Sequence, residues 1–331
     1  MAHRYLLSID GGGIRGIIPT MALIKLEKTT GRLSREVFSL AAGTSTGAIL
    51  TAAVAAGIPA TRILDLYVNR AKEIFTSSPL RTIQRIFSGS MYSTQRLHDI
   101  LAEELGAARA WKLNDSPIDV LITAMGMPDG NPWYFVRDNP QNSGCTGRFT
   151  LVDCTTASAA APTYFQPWSI PPVAGLPPNF THPGLLVDGG VGVAGNPIYQ
   201  ACVEAFFYSS GYTPQATTAV SLGTGKYPSQ ARPTWIYPWL EWVLGELLES
   251  PEEQQTEITW RQFPDMLFYR IDTELKEDIP LDGAGSIDKL QEYGQKLADT
   301  IDWNAILAGT DTRFRIGHAK TSGVQYRQRL F

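Results

Sequence analysis

The sequence is poor in the residues that several common chemistries depend on. It has only three cysteines, Cys145, Cys154 and Cys202, far apart and without C-x-x-C spacing. A disulfide framework or a zinc cluster is therefore not expected, and a reducing compartment is. Histidine is nearly as scarce, with His3, His98, His182 and His318, and none stands in a recognisable metal-binding or catalytic setting. No metal-ligand cluster is visible, so neither a metal nor a cofactor is expected. No Lys/Arg block occurs and the net charge is −4, which argues against a nucleic-acid partner. No apolar run reaches the roughly 18 residues of a spanning helix. An apolar strand begins directly after Met1-Ala2-His3-Arg4, leaving no space for a signal peptide. These absences together predict a cytoplasmic protein.

What is present is a substantial core. Hydrophobic residues make up 44% of the 331, with eight tryptophans, enough for one large α/β domain or two ordinary ones. With no repeat, low-complexity tract or clear linker, a single domain over 1–331 is expected. Its motif-bearing core runs from about 4 to 300, and a tail over 301–331 is unassigned.

The most informative stretch is Gly43-Thr44-Ser45-Thr46-Gly47. An apolar run, Val37 to Ala42, precedes it, and the small-residue run Ala48 to Ala56 follows. A G-x-S-x-G between a strand and a helix is a nucleophile elbow: the reversal leaves space only for glycine on either side and presents the serine hydroxyl at the strand tip. It also frees the Thr46 N–H at the helix start.

Upstream, strand Tyr5–Ile9 ends in Asp10-Gly11-Gly12-Gly13-Ile14-Arg15-Gly16. A phosphate cradle is one reading of such a turn, but there is no G-K-[ST], and the glycines do not match G-x-G-x-x-G. The other reading is an oxyanion hole built from unhindered N–H groups, with Arg15 adding positive charge. Downstream, Leu185-Leu186-Val187 leads into Asp188-Gly189-Gly190, and Thr218–Leu222 into Gly223-Thr224-Gly225. A hairpin over Ile118–Met125 and Trp133–Val136, helices from Ile17, Asn196 and Ser286, and a strand over Met266–Ile271 complete an α/β pattern with a largely parallel sheet. Asp10–Gly16, Ser45 and Asp188 all fall at strand ends, where active sites of such sheets collect.

Two segments invite membrane readings. Leu80–Phe87 carries Arg81 and Arg85 on an apolar background and reads as a solvated helix face. Trp235–Glu249 has a wide apolar stripe, but its polar positions are Glu241, Glu246 and Glu249, so a core or lid helix is expected there. The small helix Thr155–Ala161 would let a backbone or a substrate come close.

A serine nucleophile needs a base. His182 and His318 stay open as candidates. So does Asp188, provided that burial raises its pKa from about 4.

Taken together, Asp10–Gly16, Gly43–Gly47 and Asp188–Gly190 resemble, in order, the three hallmark motifs of patatin-like phospholipases. Ala157–Phe165 and Ser221–Gly225 are similar to its secondary blocks, and Phe268–Ile271 through Leu281-Asp282 also has its character. Ala48 stands where the family often has glycine. The resemblance implies a three-layer α/β/α fold and a calcium-independent lipid acyl hydrolase of phospholipase A or lysophospholipase type. Ser45 would be nucleophile and Asp188 base, with Gly11, Gly12, Gly13 and Arg15 as the oxyanion-hole motif. The implied partners are a membrane glycerolipid or lysophospholipid substrate, reached by peripheral membrane contact. Bacterial relatives switched on by cyclic nucleotides also set a precedent for a small-molecule activator, although no residues mark a pocket for one. The alternatives are a Ser-His-Asp carboxylesterase acting on soluble esters and a non-catalytic nucleotide- or phosphate-binding module using Gly11–Gly16.

Overall fold

The computed structural model describes residues 2–74, 90–139, 145–192, 195–227, 239 and 252–317. The Arg81/Arg85 segment, nearly all of Trp235–Glu249, and His318 with the tail after it lie outside these residues.

Strand β1 (Arg4–Ile9) is central because every residue from Leu6 to Ile9 is buried, as a strand covered on both faces requires. It is flanked in parallel by β2 (Leu40–Gly43) and β7 (Thr217–Leu222). Parallel pairing continues outward to β3 (Asp119–Gly126) beyond β2 and to β8 (Leu267–Ile271) beyond β7. The register sets Ile9 beside both Gly43 and Leu222, and Leu222 beside Ile271. Asp10, Thr44, Gly223 and Asp272 therefore all emerge at one rim.

The other side of the sheet departs from the parallel pattern. Strand β4 (Pro132–Val136) pairs antiparallel along Leu121–Met125 of β3. Strand β6 (Leu185–Asp188) pairs antiparallel with Ala124–Gly126, and β5 (Trp168–Ser169) pairs with β6. A strand has two edges. Since β4 lines one of them opposite both β2 and β6, those two strands share the other, β6 continuing where β2 stops. Asp188 sits opposite Ala124, two residues beyond the Ile122 that faces Gly43. Asp188 thus reaches the site head-on to β2, from an antiparallel strand.

Alternation along the strands separates two cores, one on each face of the sheet. Leu7, Ile9 and Ala41 belong to the larger one, with α1 (Ile17–Thr30) and its residues Ile17, Ile18 and Leu23. Leu6, Leu40, Ala42 and Ala219 face the other way, toward Ile198, Cys202 and Phe263. Three layers, α/β/α, result. Val37 closes the short helix α2 (Ser34–Val37), so β2 begins later than the apolar run suggests. After β2 come α3 (Thr46–Ala56), α4 (Ala60–Asp65), one π-helical turn (Leu66–Arg70) and α5 (Ala71–Ile74). Helices α6 (Thr94–Leu105) and α7 (Leu151–Ser158) pack beside α3. Farther on are α8 (Ile198–Val203), α9 (Ile287–Asp299) and α10 (Trp303–Leu307). The start of the unassigned tail is part of the core: Trp303 is buried and its Nε1–H donates to Ala22 O at 3.1 Å.

Candidate active site

Ser45 lies between β2 and α3 at φ 57° and ψ −122°. Only Ser45 and Thr163 have positive φ among the described non-glycine residues, and such strain gathers at functional sites. The flanking glycines are explained by what a side chain would meet: a Cβ on Gly43 would strike the Gly47 carbonyl, and one on Gly47 the Ile9 carbonyl. The turn is fixed from outside by the Ser45 N–H, which donates to the buried Ser158 Oγ at 2.9 Å. Beside it, Thr44 and Thr123 share a hydroxyl hydrogen bond of 2.7 Å, and the hydroxyls of Thr46 and Tyr67 another.

Asp188 is fully buried, and its Oδ1 accepts from Gly190 N–H at 2.8 Å. Burial raises its carboxyl to about 6, with the Ser45 hydroxyl and the Gly190 N–H pulling the other way. Its Oδ2 closes no hydrogen bond of regular geometry among the described residues. The serine therefore bears on the carboxylate without being locked to it. A carboxyl with this pKa can accept a proton near neutrality, which an ordinary aspartate does poorly.

The glycine turn divides its donors. Gly11 N–H is spent on Gly195 O at 2.9 Å, Ile14 N–H on Leu281 O at 2.8 Å, and Arg15 N–H on Gly12 O at 3.1 Å. The N–H groups of Gly12 and Gly13 have no such acceptor among the described residues. Both have positive φ, 152° and 55°. A Cβ on Gly12 would collide with Thr224 Oγ1, and one on Gly13 with the Leu281 carbonyl. Thr224 Oγ1 in turn donates to Gly11 O at 2.6 Å. Arg15 is buried, and its Nε–H reaches back to Gly12 O at 3.4 Å. Of the predicted motif, then, Gly12 and Gly13 have N–H groups to offer, while Gly11 and Arg15 build the turn.

Ser45, Asp188 and Gly13 line one cleft, walled mainly by apolar groups such as Ile49, Leu66 and Phe165. His182 is not in its lining. The His182 Nδ1 accepts from Gly184 N–H at 3.2 Å and its ring meets Phe149 edge-on at 6.0 Å.

Sequence reasoning did not find the group that stands behind the glycine turn. Arg270 Nη2 lies 2.6 Å from Asp10, 3.0 Å from Asp272 and 3.2 Å from Glu252. Among the described residues these three acids are the one cluster with metal-ligand spacing, and the guanidinium is a cation already placed among them. The sequence signal available was an acid one residue past each of β1 and β8.

An α/β sheet with a strained serine elbow, a buried acid and a bare glycine turn at one rim defines a class of hydrolase-type sites. A family model, Patatin-like phospholipase, matches residues 7–202, and the chain belongs to that family. It is 30% identical over 209 residues to the cGAMP-activated phospholipase of Escherichia coli (strain TW11681), covering 61% of this chain and 55% of the relative. The Vibrio cholerae serotype O1 protein of the same name is 28% identical over 331 residues, covering 88% and 90%. Calcium-independent phospholipase A2-gamma of Oryctolagus cuniculus is 28% identical over 312 residues, covering 88% and 37%. The chain thus spans about half of the first relative (55%) and little over a third of the last (37%). No helix among the described residues is long and apolar enough to cross a membrane.

Proposed function

We propose that this protein is a calcium-independent lipid acyl hydrolase of phospholipase A or lysophospholipase type, working through Ser45 and Asp188. Ser45 Oγ attacks an ester carbonyl of a glycerolipid while Asp188 takes its proton. The N–H groups of Gly12, Gly13 and Thr46 receive the oxyanion, and water then releases the fatty acid from the acyl-enzyme. The observation that carries this reading is the meeting of a strained serine with a buried acid, raised to about 6, at the floor of an apolar cleft. A phosphate cradle is less well supported, because the N–H groups of Gly11, Ile14 and Arg15 are already spent on backbone carbonyls. The substrate is a membrane lipid approached peripherally, and a cyclic dinucleotide, after which two relatives are named, is the activator to try.

A fluorophosphonate probe tests the nucleophile. Labelling is expected on the peptide containing Ser45 and lost in Ser45→Ala. Labelling on another residue, or none under conditions of lipid turnover, would overturn the assignment.

A further inference from the structure

Gly16 ends the glycine turn, and the contacts of Gly12 and Gly13 do not explain it. Its φ is −54°, which any residue adopts. What excludes a side chain there is space: a Cβ would stand 2.5 Å from both Thr46 Oγ1 and Tyr67 Oη. These are the two hydroxyls that share a hydrogen bond beside the elbow. Three segments therefore meet at one point: the far end of the glycine turn, the first residue of α3, and the π-helical turn after α4.

Gly16 leads straight into α1, and its carbonyl accepts from Thr20 Oγ1 at 2.7 Å. Tyr67 is buried and lines the cleft from the π-helical turn, a feature that often marks functional sites. Burial pushes its phenol well above the usual range, with the Thr46 hydrogen bond pulling the other way. It stays a neutral hydroxyl at working pH, a fixed strut rather than an acid or a base. Neither hydroxyl makes a second hydrogen bond among the described residues, so each serves to hold the other.

What the strut holds is the distance between two backbone donors. Gly13 and Gly16 are the two ends of one 3-10 turn, so the Gly13 N–H moves with Gly16. The Thr46 N–H opens α3, directly after the serine. The sheet fixes Ile9 beside Gly43, but both donors lie farther along the chain, beyond the last paired residues. There the packing of Gly16 against the Thr46–Tyr67 pair ties the two segments together again.

Resting on the reading of Ser45 as nucleophile with the Gly13 and Thr46 N–H groups facing its oxyanion, we propose that Tyr67 is a positioning residue of this reaction. Through Thr46 and Gly16 its hydroxyl sets the separation of the two donors. Such donors work at about 2.7–3.1 Å from the oxyanion, and a misplacement of about 1 Å can cost on the order of 10²-fold in rate. The tie acts on the transition state and not on the bound ester, so its loss falls on kcat and not on KM.

Tyr67→Phe removes one oxygen and keeps the ring. The test compares this variant with the parent on the octanoyl ester of para-nitrophenol. Rates are expressed per site labelled to completion by a fluorophosphonate, so unfolded protein is not counted. kcat should fall at least about tenfold, with KM within about twofold of the parent. An octyl trifluoromethyl ketone, whose adduct on Ser45 carries the same oxyanion, should lose affinity by the same factor to within about threefold. A merely structural role would not move the two together. Thr46→Val should lower kcat likewise, and the double variant by no more than about threefold beyond the worse single one, because both break one bond. A kcat within about twofold of the parent, a rise in KM alone, or a fall in kcat with ketone affinity unchanged would overturn the positioning role. So would two falls that multiply in the double variant. Failure of the underlying reading would look different: Ser45→Ala would still hydrolyse the ester, and the ketone would not inhibit the parent.

Discussion

Arg270 is ion-paired with Asp10 at 2.6 Å, joining the end of β8 to the residue that opens the glycine turn. Asp10 has no exposure to solvent, and burial holds both its carboxyl and that of Glu252 above the usual carboxylate range. Removing the cation by Arg270→Met would leave the buried acids uncompensated, a loss of roughly 3–5 kcal/mol. A loss of that size in the unfolding free energy from urea titration is expected, seen as a lower midpoint at an unchanged slope. An unchanged midpoint would mean that the cluster contributes nothing to stability.

The pH dependence follows from Asp188. To accept a proton it must be ionised, so kcat/KM should rise with pH about a midpoint near 6 and lose this limb in Asp188→Asn. The stability effect has the opposite sign. A folded pKa near 6 against an unfolded value of about 3.9 favours the protonated folded state. The contribution of Asp188 is then fully present below about pH 4 and lost as pH rises through about 6. Asp188→Asn should therefore stabilise the protein near neutrality, by on the order of 3 kcal/mol, and not at low pH. Thermal melts across pH check this.

Ser158 Oγ accepts the Ser45 N–H at 2.9 Å. Ser158→Ala leaves that donor buried, at a cost of about 1–3 kcal/mol. Because the bond fixes the elbow rather than the lipid, kcat should fall more than KM rises. Steady-state kinetics separate the two, and an unchanged kcat would contradict the positioning role.

Gly12→Ala combines a positive φ of 152° with a collision against Thr224 Oγ1. The turn must shift, moving the Gly12 N–H off the oxyanion position, and kcat should drop on the order of 10²–10³-fold. A rate within tenfold of the parent would show that Gly12 is not a donor.

Much of the site could be read from the sequence because its parts are local. An elbow and a glycine turn each need their residues within a few positions, and steric limits dictate glycine at Gly12, Gly43 and Gly47. The parallel strands were legible from apolar runs that end in turns. What escaped was set by distant pairing. Nothing near Leu185 indicates that β6 is antiparallel and meets β2 end to end. Arg270 is an ordinary arginine in a strand until the register puts it beside Asp10. Ser158 looks like one more small residue in a helix until it accepts the Ser45 N–H. The division of the glycine turn into offered and spent donors also depends on remote carbonyls, those of Gly195 and Leu281.

The most direct test of the central claim is fatty-acid release from phospholipid vesicles in the presence of a calcium chelator, comparing the parent protein with Ser45→Ala and Asp188→Asn. The parent should release fatty acid at the same rate with and without chelator, Asp188→Asn should lose roughly four orders of magnitude in rate, and Ser45→Ala roughly six. Release near the parent rate by either variant would contradict a proton passing from Ser45 to Asp188.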